Sequence, residues 1–125
     1  MRSRMILSVL AALVLCSLPL SAHHGAAAYE SNNPLTLKGR VTDFQFVNPH
    51  CQIFFDTKND KGEIEHWRSE LTAPNKLARA GWTKRSLKPG DEITVTGLVG
   101  KNSAHALWIR KLIGPDGQTM ALSEE

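Results

Sequence analysis

The sequence predicts a mainly β fold: a small barrel or sandwich of five to six strands, with one short helix between the third and fourth. Three observations carry that expectation. Apolar residues recur with period two over several short stretches. Turn signals rich in Pro, Gly and Asn separate those stretches, and one segment alone has helical punctuation.

A different composition stands ahead of the domain. Residues 1–4 are basic, residues 5–15 are apolar, Pro19 breaks the run, and small Ala22 precedes His23. This is the form of a secretory signal peptide cut after Ala22, and it predicts export to the periplasm. The run is shorter than the roughly 20 residues a spanning helix needs, so no membrane anchor is expected after cleavage. Leu15, bulky before Cys16, argues against a lipidated cysteine. With Cys16 removed, Cys51 stands alone and no internal disulfide is expected. A cut after Ala28 is the alternative, and it would discard His23 and His24.

Residues 23–33 read as a flexible, small and polar segment, and residues 34–123 as one domain. Leu35, Leu37, Gly39 and Val41 alternate with polar residues as a half-buried first strand. Phe44 and Phe46 continue in the opposite phase, which predicts a one-residue bulge near Asp43. Asn48-Pro49-His50 is a turn, because Pro49 pushes Asn48 out of the helical region. Cys51, Ile53 and Phe55 share one face of a second strand, and residues 57–62 form a hairpin loop. A third strand over residues 63–71 places Trp67 and Leu71 on one face and His66, Arg68 and Glu70 on the other.

Residues 72–82 hold the helix, with Pro74 at its start, Leu77 and Ala78 supplying apolar contacts and Gly81 at its exit. Ala73 makes a weak cap. A Pro89-Gly90 turn feeds a fourth strand with Ile93 and Val95 inward, and a fifth covers residues 106–113. Pro115-Asp116-Gly117 makes the last turn. This order fits a small closed barrel of the oligonucleotide/oligosaccharide-binding type, its helix plugging one end. A sandwich with a covering helix shares the order.

The formal net charge is +3, and it falls to about +1 once Arg2 and Arg4 leave with the signal. That near-balance offers no electrostatic footprint for nucleic acid or anionic lipid. No G-x-S-x-G, H-E-x-x-H, phosphate loop or C-x-x-C is present, so nothing in the motifs supports an ordinary hydrolase or redox enzyme.

The histidines offer the best chemistry. After a cut at Ala22, His23 would present a free amine and an imidazole Nδ1 able to chelate one metal ion. Imidazole suits copper, zinc and nickel, and copper(II) leads the affinity series. His24 or His50 would add a nitrogen, with Glu70 as an oxygen ligand or as acceptor for an imidazole N–H. The competing reading makes His23 and His24 the polar start of a frayed end and His50 a turn residue bonded to backbone. Cys51 reads as a small buried hydrophobe, His105 as a solvated loop residue, and His66, Arg68 and Glu70 as a weakly paired surface. With eight aromatic residues in the chain, Trp67, Trp82 and Trp108 read as core.

The stretches "HHGAAAYE", "TLKGRV", "NPH", "WRSE", "PNKLARAGW", "LKPGDEITVTG" and "GPDGQTM" follow one another in order. Together they resemble a family of small exported bacterial proteins known as domain of unknown function 6152. Two departures stand out. Gly25 and Ala26 replace the serine and aromatic residue that usually follow the histidine pair, and Ala73 stands where a capping serine is common. The resemblance implies no activity. Two functional readings therefore remain: a periplasmic barrel that handles copper through His23, His24 and His50, and a metal-free binding or adaptor module for a protein or small ligand. A copper oxidase acting on polysaccharide shares the N-terminal logic, but the chain offers it little substrate-binding surface.

Overall fold

The alternation over residues 35–41 becomes part of a long first strand, β1 (Tyr29–Gln45), in the computed structural model, which describes residues 29–102 and 105–123, with backbone alone at 30–32. The strand starts earlier than the periodicity predicts, because Tyr29 already pairs with Gly100 and the ladder shifts register before resuming at Pro34. Thr42 is the extra residue of a bulge: Val41 pairs with Phe55, and the next partner of Phe54 is Asp43. The phase therefore inverts, and Val41 on one side of the bulge and Phe44 and Phe46 on the other all turn to the core.

The remaining elements follow the predicted order: β2 (Gln52–Lys58), β3 (Ile64–Glu70), α1 (Pro74–Arg79), β4 (Glu92–Gly100) and β5 (Ala106–Ile113). β1 pairs with β4 over Pro34–Arg40 and with β2 over Arg40–Gln45. β3 meets β5 in a short parallel ladder, Arg68–Glu70 against Ala106–Trp108. The strand order β1-β2-β3-β5-β4 closes a barrel, so the sandwich is not adopted. Five strands suffice. Glycine is required where backbones crowd: a Cβ at Gly97 would lie 2.6 Å from the Trp108 carbonyl oxygen, and one at Gly39 would lie 2.6 Å from that of Asp56.

The barrel interior is filled by Val41, Cys51, Ile53, Phe55, Trp67 and Leu71 from the first three strands, with Ile93, Val95, Leu107 and Leu112 from the last two. Cys51 is fully buried, as a small hydrophobe should be, and burial pushes its thiol up from the ordinary value. The helix has no side-chain cap at Ala73, begins on Pro74 and exits through Gly81 at φ 94°. It buries Leu77, and Ala80 rather than Ala78 completes the apolar face; Ala78 is exposed. Leu77 and Ala80 stand three residues apart on one helical face, which Ala78 does not share. Below the helix, Trp82 donates its indole N–H to the Ala121 carbonyl at 2.6 Å, and Met120 and Leu122 pack on the core. No helix among the described residues is long and apolar enough to cross a membrane.

Candidate functional site

The turn before β2 delivers His50 to the end of β3. The Asn48–Pro49 peptide is cis, and the residue after His50, Cys51, is locked to the third strand. Its N–H donates to the Thr72 carbonyl at 3.1 Å, and its carbonyl accepts from the Leu71 N–H at 2.9 Å. Because Cys51 points inward, alternation sends His50 to the opposite face, where Glu70 also projects. Cross-strand register then adds a third residue, since Glu70 pairs with Gln52 on one side and with Trp108 on the other.

These residues meet. His50 Nδ1 contacts Glu70 Oε1, with both side chains partly buried. Glu70 Oε2 accepts a hydrogen bond from the Tyr29 hydroxyl at 2.8 Å. The His50 ring sits edge-on to Trp108 with centroids 5.4 Å apart, and Tyr29 lies 6.0 Å from the same indole. Tyr29 is nearly buried, and its phenol is pushed up to about 12, by desolvation first and then by its bond to, and the charge of, Glu70.

The arrangement dictates a tautomer. An ionised carboxylate only accepts, so the His50 Nδ1 facing Glu70 carries the proton. With the ring neutral, this tautomer leaves on Nε2 the lone pair that a metal needs. Both Glu70 oxygens are engaged, one by His50 and one by Tyr29.

Of the sequence-predicted ligands, the fold brings His50 and Glu70 together, while His23 and His24 lie outside the described residues. Among the described residues, no three His, Cys, Asp or Glu side chains gather. Sequence reasoning does not reach Tyr29, and it reads Trp108 as core rather than as part of a ligand platform with Trp67 and Trp82. Trp108 is half-buried against Tyr29, Leu98 and Ala106 rather than part of the main core, unlike Trp67 and Trp82. The available signal for Tyr29 is its place as the sole tyrosine, just after the histidine pair. For Trp108 it is the register of β5, which local pattern does not reveal.

His105 lies in the β4–β5 loop with its side chain partly exposed, and the structure adds partners: its ring lies against Trp67 at 4.8 Å, its Nε2 stands 3.7 Å from Glu65 Oε2, and its carbonyl accepts the Arg68 N–H at 3.0 Å. It adopts a left-handed φ of 67°, uncommon away from glycine. His66 remains an exposed surface residue, paired with Asp56 at 2.6 Å.

Comparison with known proteins adds a family and little else. No curated protein matches the chain. Among solved structures, TiaS in complex with an isoleucine tRNA and ATP is similar at 21% identity and a TM-score of 0.45, over 69% of this chain and 19% of that one. Apo TiaS, a tRNA agmatidine synthetase, is similar at 23% identity and a TM-score of 0.43, over 66% of this chain and 18% of that one. The chain thus spans about a fifth of the length of these proteins. A model of a family of unknown function matches residues 11–108, most of the sequence, and the chain belongs to that family, DUF6152.

Proposed function

We propose that this protein is an exported, periplasmic barrel that binds a transition metal, copper(II) foremost, through His23, His24 and His50. The observation that carries the reading is the His50–Glu70 pair, which leaves the imidazole Nε2 available. Glu70 then serves as the acceptor that orients the ring, itself steadied by the Tyr29 hydroxyl on its other oxygen. Chain geometry permits the rest. Tyr29 is seated on Glu70 and stands five positions beyond His24, a reach of at most roughly 17 Å. Cleavage after Ala22 supplies the amine of His23. The role is metal handling rather than catalysis.

N-terminal sequencing of the mature protein tests the premise: a start at His23 supports it, and a start at Tyr29 ends it. Copper titration of untagged protein tests the site. His23→Ala and His50→Ala are each expected to weaken binding sharply. Glu70→Gln, which keeps shape but loses the charged acceptor, is expected to weaken it by about 10- to 100-fold. Unchanged affinity in His50→Ala would refute the ligand set. The competing reading is the metal-free binding or adaptor module for a protein or small ligand. Protein that stays empty after copper exposure would favour it.

A further inference from the structure

At the opposite end of the β2–β3 hairpin from His50, β1 leaves β4 and joins β2. The β1–β2 ladder stops at Arg40–Asp56, while β2 runs on to Lys58. The Thr57 hydroxyl stitches the two strands by donating to the Lys38 carbonyl at 2.8 Å. Between the diverging strands lies a trench of about 460 Å³, floored by Gly39 and Val41 and bordered by Ile64, whose side chain is 59% exposed. A second depression of about 190 Å³ shares Lys38 and Glu92 with it and extends it towards Pro115. The volume suits a small organic molecule.

Its charges are unevenly satisfied. Arg40 is held by Glu92 at 3.1 Å, and Asp56 is held by His66 at 2.6 Å. Lys38 and Lys58 line the same trench, and neither has a carboxylate within ion-pair distance among the described residues. Lys38 stands on β1 and Lys58 on β2, each two residues beyond the last ladder pair, Arg40–Asp56, on the two strands that border the trench. Two ammonium groups bordering one trench favour an anion between them. Beside them the exposed Ile64 gives the trench one apolar wall.

We infer that this trench is a binding site for a small amphipathic anion, a carboxylate with an apolar body. The carboxylate bridges the Lys38 and Lys58 ammonium groups, and the apolar body covers Ile64 and the floor at Val41. The site is independent of the metal reading, since His50 and Glu70 lie at the far end of the hairpin.

Titration with octanoate, followed by backbone amide NMR shifts, tests this. Saturating shifts are expected at Gly39–Thr42, Thr57, Lys58 and Ile64. Lys38→Ala/Lys58→Ala, two exposed positions whose change should leave the melting temperature alone, is expected to weaken binding at least roughly tenfold. Ile64→Ser is expected to weaken it as well, and His50→Ala to leave it unchanged. The inference fails if octanoate produces no saturating shifts, or if the double lysine variant binds as well as wild type. It fails equally if 1-octanol or inorganic phosphate alone reproduces the response, because either would remove one half of the recognition.

Discussion

The Tyr29 hydroxyl is the most telling single atom in the molecule, because it reports whether the start of β1 is seated on Glu70. Its phenol, pushed up to about 12 against an ordinary 10.0, stays protonated wherever the fold holds. The sign follows from linkage. A native value above the unfolded one means stability that is full below pH 10 and declines as pH rises towards 12. As Tyr29 is the only tyrosine, the tyrosinate absorbance band of the whole protein reads this one group. We expect no tyrosinate signal near pH 10 while the fold persists; an ordinary midpoint there would show Tyr29 unseated. Tyr29→Phe should flatten the alkaline decline and cost about 1 kcal/mol at neutral pH, the net worth of a partly buried hydrogen bond. Sequence reading reaches His50 and Glu70 at this scale because strand alternation places both beside a turn. It misses Tyr29 and Trp108 because their approach depends on which strands pair across the barrel, a fact no local period encodes.

At the scale of elements, the β4–β5 hairpin is pinned to β3 by a small cluster. Glu65 accepts the Trp67 indole N–H at 3.1 Å and an Asn59 amide N–H at 3.3 Å, with His105 close by. The Trp67 bond foremost, against an opposing effect of desolvation that ranks second, holds this carboxyl below its ordinary value of 4.5, with Asn59 and the His105 charge adding to the lowering. A depressed native value means stability that is complete above about pH 4.5 and lost as pH falls through the native value. Glu65→Gln should therefore remove part of the acid limb of a stability-versus-pH curve and leave the alkaline limb untouched. An unaltered acid limb would show the cluster to be idle. The elements themselves are largely legible. The bulge follows from an inversion of apolar phase between Val41 and Phe44, and the helix limits from Pro74 and Gly81. The early start of β1 is not legible, because Ser31, Asn32, Asn33 and Pro34 have turn composition, and the strand carries them across a break in register between the Tyr29–Gly100 and Pro34–Leu98 pairs with β4. Tertiary pairing overrides propensity there.

For the molecule as a whole, closure of the barrel is shared between strands and cover. The β3–β5 ladder is only three residue pairs long, so the base depends on α1 and the chain end for its seal. Leu77 plugs the interior, and the last residues wrap beneath it. The Met120 N–H donates to the Leu112 carbonyl at 2.9 Å, Thr119 bridges Ile113, and Ala121 accepts from Trp82. Gly114 provides the seat for Met120, since a Cβ there would lie 2.9 Å from the methionine sulfur. Truncation before Thr119 removes these bonds and two apolar side chains from the core margin together. Summing two hydrogen bonds at about 1 kcal/mol each with partial exposure of the Met120 and Leu122 sites gives a loss of roughly 3–5 kcal/mol. For a domain of this size that is a fall in melting temperature on the order of 10 °C or more. The Trp82 indole would meet water, so its fluorescence should shift to the red before the barrel melts. A truncated chain that melts like wild type would mean the strands close the barrel unaided, and that the tail merely rests on it.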